Sequence, residues 1–280
     1  VKAVGNKVKA VGKMIATPVV KLKDGVTAGL SKIKGQLTSL AKTVAIPVTL
    51  AATVVVGGAI NQGAALEQSI GGVETLFKED ASVVKANADA AFRTAGLSAN
   101  AYMEQVTSFS ASLISSLSGD TAKAATVADM ALIDMADNAN KFGTDMESIQ
   151  NAYQGFAKQN YTMLDNLKLG YGGTKEEMQR LLSDAQKLTG TKYDINNLAD
   201  VYNAIHAIQE NLGVTGTTAK EASSTFSGSF SAMKAAAQNL LGNMAIGGDV
   251  TGSMKELVST ASTFLLDNAI PMVGRVITSL

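Results

Sequence analysis

The chain carries one imidazole, His206, so any Ser-His-Asp or Cys-His arrangement would have to be built on that residue. There is no cysteine, which removes disulfides, thiolate nucleophiles and thiolate metal sites. A zinc site would need further His or Cys ligands, and none exist. The Gly-x-Ser-x-Gly elbow that presents a nucleophilic serine does not occur. His206 lies beside Ile205 and Ile208 in an apolar-periodic stretch and reads as a half-buried or surface structural histidine. Two acidic pairs remain for acid–base chemistry, Glu79-Asp80 and Glu176-Glu177. Adjacent carboxylates on one helix point in different directions. Glu176 and Glu177 also fall in a first helical turn, where the helix dipole favours negative charge. The run Gly170-Tyr171-Gly172-Gly173-Thr174-Lys175 has the look of a phosphate loop, but it lacks the Gly-x-x-x-x-Gly-Lys-Ser/Thr spacing and no apolar strand leads into it. It reads as a turn closed by a Thr174 helix cap. No catalytic residue, metal site or cofactor is expected, and the chain is not expected to be an enzyme.

The elements that hold these residues are helical. Ala124, Val127, Ala128, Ala131, Leu132, Met135, Ala136 and Ala139 follow a 3–4 spacing and mark one helix face. Met146, Ile149, Tyr153 and Phe156 continue the pattern. Leu198, Val201, Tyr202, Ile205, Ile208 and Leu212 form another stripe, which Gly213 ends. Four hydroxyl–carboxylate pairs match the capping box at helix starts: Thr144 with Glu147, Thr174 with Glu177, Thr218 with Glu221, and Ser253 with Glu256. Glycine-rich joints separate the segments at Gly170–Gly173, Gly213–Gly216 and Gly247-Gly248. Strand signals are sparse, and no sustained heptad predicts a long coiled coil. The expected fold is all-α: an Ala/Gly-rich multi-helix array with Gly-rich joints, partly elongated. With few aromatic residues, its core is expected to pack thinly, on helices that depend on neighbours or on other copies of the chain.

Charge is split along the chain. Residues 1–42 hold nine Lys and one acid, Asp24, for a balance of +8, so residues 43–280 sum to −8. This basic arm touches something anionic, folds back on the acidic body, or is a solvated, lysine-studded segment. Aromatic residues that would stack on bases are missing from it, so nucleic acid is expected to bind non-specifically if at all. Residues 43–66 carry no charge. Val44, Ile46, Val48, Leu50, Val54, Val55, Val56 and Ile60 make this the possible membrane segment, long enough to span a bilayer as a helix. Pro47, Gly57, Gly58, Asn61, Gln62 and Gly63 interrupt it, which favours a buried or self-associating helix. The helical domain is expected over 67–250 and an apolar C-terminal helix over 251–280. The chain starts at Val1 and reads as part of a longer polypeptide that continues past residue 280.

Two segments carry a resemblance. One runs Asn166-Leu167-Lys168-Leu169-Gly170-Tyr171-Gly172-Gly173-Thr174-Lys175-Glu176-Glu177-Met178 and on to Ala185. The other runs Thr225-Phe226-Ser227-Gly228-Ser229-Phe230-Ser231-Ala232-Met233-Lys234 and on to Gly242. Both resemble segments of tail tape measure proteins of long-tailed bacteriophages and prophages of Gram-positive bacteria, over roughly residues 64–270. The resemblance implies a structural ruler in the tail tube lumen that sets tail length during assembly and is released at infection. Its implied partners are the tail tube protein, tail assembly chaperones, tail-tip proteins, other copies of itself and, on ejection, the host membrane. Its implied places are the host cytoplasm during assembly, the virion tail lumen and, on ejection, the host membrane. The structural motif residues it implies are Gly170, Tyr171, Gly172, Gly173, Thr174 and Glu177, with Gly228, Ser229, Ala232 and Met233. Some members carry a peptidoglycan-cleaving domain elsewhere, and nothing in these residues matches one. The alternative reading is a membrane-active helical protein, a pore-former or secreted helical toxin partner, favoured by residues 43–66 and the apolar stretch 257–280.

Overall fold

The computed structural model describes residues 48–272, with side chains from residue 62 onward. The basic arm 1–42, Val44, Ile46 and residues 273–280 lie outside the described residues. The chain divides by its contacts into 1–56 and 57–280.

The fold is all-α, and the described residues contain no strand. Helix α1 (Val48–Phe77) leads through a 3-10 turn into α2 (Ala81–Thr94), α3 (Ala99–Ser116), α4 (Thr121–Phe142) and α5 (Met146–Phe156). After a second 3-10 turn, Leu164–Leu167, come α6 (Lys175–Thr189), α7 (Leu198–Asn211), α8 (Thr217–Ser224), α9 (Phe226–Ile246) and α10 (Val250–Ser262). A π-helical stretch, Thr263–Ala269, then carries the helical chain to Met272.

The main core lies among α1 to α7. The α4 stripe is buried as its spacing requires, apart from partly exposed Ala139. The α7 stripe is buried from Leu198 to Ile208, whereas Leu212 is 48% exposed because α7 has ended at Asn211. Few aromatic residues exist, yet they are concentrated: Tyr153 and Tyr202 ring centroids lie 5.0 Å apart, and Phe109 meets the Tyr202 ring edge-on at 5.6 Å. Phe156 and Tyr161 extend the cluster. Large rings therefore fill the centre, and Ala residues line the helix contacts around it.

None of the four capping boxes forms in full; at Thr174 the hydroxyl caps, but Glu177 accepts from the Gly172 amide instead of the Thr174 amide. Asp145, not Thr144, caps α5 by accepting from the Ser148 amide. Thr218 lies inside α8, and Ser253 lies inside α10, where Asp249 caps through the Gly252 amide at 2.8 Å. Only Thr174 caps as its spacing predicts, accepting from the Glu177 amide. The hydroxyl-x-x-carboxylate pattern does not fix helix register: α8 starts at Gly216 with no side-chain cap of its own, while Asp145, one residue after Thr144, and Asp249, four before Ser253, take the amides of α5 and α10. Ser98, Asp120, Asn197 and Thr225 cap α3, α4, α7 and α9 in the same way.

The interruptions expected in 43–66 do not break the chain: α1 runs unbroken through Gly57, Gly58, Asn61, Gln62 and Gly63. At Gly63 a Cβ would sit 2.3 Å from the Ala245 methyl, so glycine there lets α1 cross α9 closely. Val48, Leu50, Val54, Val55, Val56 and Ile60 lie on this helix. Among the described residues no helix is long and apolar enough to cross a membrane.

Candidate functional site

The first resembling segment is a closed turn between the Leu164–Leu167 3-10 turn and α6. Leu164, Leu167 and Leu169 are buried and anchor it. Lys168 adopts a left-handed backbone, and its ammonium donates to the Phe142 carbonyl at the end of α4. Gly170 has φ +88, a conformation that side chains disfavour. At Gly173 a Cβ would stand 2.2 Å from the Thr162 carbonyl oxygen, so the turn closes only around glycine. From α6 three side chains reach back over it. Glu177 accepts from the Gly172 amide at 3.0 Å, Arg180 donates to the Gly170 carbonyl at 2.7 Å, and Asp184 accepts from the Tyr171 hydroxyl at 3.1 Å. Arg180 also pairs with Glu177 and lies over the Tyr171 ring, 4.3 Å from its centroid. Partial burial and the nearby Asp184 carboxylate push the Tyr171 hydroxyl up to about 12. The Arg180 hydrogen bond holds the Glu177 carboxyl below its usual range. Here the Gly172 amide is occupied by the protein's own carboxylate, which is the opposite of a phosphate cradle.

The second segment is a one-residue elbow. Thr225 is at once the C-cap of α8 and the N-cap of α9, and its hydroxyl accepts from the Gly228 amide at 3.0 Å. A Cβ at Gly228 would lie 2.4 Å from the Glu221 carbonyl oxygen, so glycine permits the sharp approach of α8 and α9. Ser229 is buried and donates to the Thr225 carbonyl at 2.6 Å. Ala232 is buried and Met233 half-buried. Phe226 and Phe230 turn outward and pack on Phe264, with centroids 5.0 and 5.4 Å away. Phe226 and Phe230 remain 40% and 45% exposed, and Val258, Leu266, Ile270 and Met272 are exposed in the same layer of helices.

A buried polar centre on α4 ties the two segments together. Asn138 donates to the Leu167 carbonyl of the first segment and to the Gln209 side chain of α7, both at 2.9 Å. Asp137, fully buried, accepts from the Gly216 and Thr218 amides at the start of α8, the helix that leads into the second segment. One turn earlier, Asp134 accepts from His206 Nδ1 at 2.9 Å. Burial pushes the Asp134 carboxyl up to about 6, and the hydrogen bond to Asp134 raises His206. His206 is half-buried, with 31% of its side chain exposed. Asp134, Asp137 and Asn138 were not singled out by sequence reasoning. The available signal was three polar residues at i, i+3 and i+4 inside an apolar stripe, which must find partners when buried. Among the described residues no group of three His, Asp or Glu side chains could hold a metal ion.

Comparison with known proteins returns no match: no family model, no curated protein and no solved structure matches this chain.

Proposed function

We propose that the chain is part of a phage tail tape measure protein, a helical structural protein that works by length and shape inside the tail tube. The observation that carries this reading is that both segments resembling the family coincide with joints of the fold. Gly173 and Gly228 face backbone carbonyls so closely that no side chain fits. Such segments would keep their residue types for shape alone, with no reaction to perform. Phe226, Phe230 and the other exposed apolar side chains of their helical layer offer a surface to the tail tube protein, assembly chaperones, tail-tip proteins or other copies. His206, paired with Asp134, has a structural task, so His206→Ala is expected to change stability alone.

A ruler makes a quantitative demand. In-frame deletions from the helical ruler region of the full-length gene should shorten tails by about 1.5 Å per residue removed. Deletions within residues 160–245 should instead give failed or irregular assembly, because they remove the joints of a folded unit. Electron microscopy of phage from both mutant classes measures this. Unchanged tail length after ruler deletions would overturn the proposal.

A further inference from the structure

We infer that Gly216–Met272 is a releasable leaf, a helical layer that leaves the body as one unit on a glycine hinge while the main core stays closed. This inference does not rest on the tape measure reading.

The core is built without the leaf. The buried members of the main cluster end at Ile208; from the leaf, half-buried Ile246 packs against it, and Gly242 of α9 lies close to Leu66 of α1. The leaf has its own small cluster with the body, where Phe92 of α2 sits on Ala235 and Ala236, backed by Leu257. Helix α9 packs more extensively on α8, α10 and the π-helical stretch than on α2 or α3. Polar ties also run inside the leaf: Asn243 donates to the Ser253 hydroxyl at 2.7 Å, and Asn268 to the Ser223 carbonyl at 3.3 Å.

The polar ties to the body are localised at Asp137 and Asn239, although α8 also packs on α4 and α2. Asp137 holds the Gly216 and Thr218 amides, and Asn239 accepts from the buried Ala99 amide at 2.7 Å. Elsewhere the seat is made of small residues, including Ala235, Ala236 and Gly242, which remove little apolar surface per contact. The chain crosses from body to leaf once, at Leu212–Gly216, and Gly213 and Gly216 take φ +64 and +82 there. A unit with its own internal packing, a seat of mostly small residues and one glycine-containing link opens before the rest of the fold does. Release bares Phe92, which is 1% exposed when the leaf is seated.

Hydrogen exchange of the full chain under native conditions, read by peptide mass spectrometry, tests this. Peptides covering 219–262 should exchange faster than those covering 124–137 and 198–209. Asp137→Asn weakens the latch and should speed leaf exchange roughly tenfold, with body peptides changing much less. Asn239→Ala, at the other end of the seat, should act on the same peptides and serves if the buried Asp137 variant does not fold. A lock gives the reverse control: a Cβ on Gly96 would lie 3.9 Å from the Ser231 Cβ, within disulfide range, and because Gly96 takes φ +66 the reduced double variant is the reference for strain at that position. In Gly96→Cys with Ser231→Cys, oxidation should slow leaf exchange to the body's rate and reduction should restore it. A single exchange rate for leaf and body in the wild-type chain, equal acceleration of both by the variants, or no effect of oxidation would each overturn the inference.

Discussion

Raising the pH from about 5 to about 8 should destabilise this fold through one pair, Asp134 and His206. Asp134 is 1% exposed, and burial lifts its carboxyl from the ordinary 3.8 to about 6. The folded state therefore binds this proton more tightly than the unfolded chain does. The resulting stability is fully present below the unfolded value of 3.8 and is lost as pH rises through about 6. His206 acts with the same sign: its raised folded value gives stability that is full below 6.5 and lost as pH rises through the folded value. The charged groups facing the pair, Asp137 and Glu210, both raise it further. At about 1.4 kcal/mol per unit, the Asp134 shift corresponds to at most about 3 kcal/mol, and half-exposed His206 adds less. Of this, about one unit's worth, about 1.4 kcal/mol, is lost between pH 5 and the folded value of about 6, so with a urea slope of about 2–3 kcal/mol per molar the midpoint should fall by about 0.5–1 M between the two pH values. Urea titrations followed by circular dichroism measure this. Asp89, Asp129 and Glu256 are also raised, so the comparison that isolates the pair is Asp134→Asn. That variant removes the ionisable carboxyl and the counter-charge of His206, so most of the fall should disappear. A wild-type midpoint that rises from pH 5 to pH 8, or an unchanged pH slope in Asp134→Asn, would refute the reasoning.

Gly173→Ala and Gly228→Ala should each cost about 2–3 kcal/mol of stability, because the new methyl meets a backbone carbonyl that cannot move alone. Gly71→Ala is the control: it lies exposed in α1 with nothing within 4 Å of the new Cβ, so stability should rise by about 0.5–1 kcal/mol. Thermal unfolding of the three variants checks the sign in each. Thr174→Ala and Asp145→Ala should each cost about 1 kcal/mol through a lost cap, whereas Thr144→Ala should change stability by less than about 0.5 kcal/mol, since its hydroxyl has no hydrogen-bond partner.

What the sequence by itself determined is local and periodic. The α4 and α7 stripes, the glycine joints, the Thr174 cap and the all-α class follow from side-chain spacing along one helix and from backbone freedom at glycine. These depend on residues within about four positions of one another. The start of each helix was legible only where no rival acceptor stood nearby, which is why Asp145 and Asp249 displaced Thr144 and Ser253 as caps. The reason for the glycines at 173 and 228 was not legible, since the colliding Thr162 and Glu221 carbonyls are set by how the chain folds back. The polar centre lay further out of reach. Asp134 meets His206 72 positions away, Asn138 meets Gln209 71 away, and Asp137 closes on Gly216 79 away. Only tertiary structure decided those partners, because a buried polar group is satisfied by whichever group packing brings against it, and packing is settled by the whole set of helices at once.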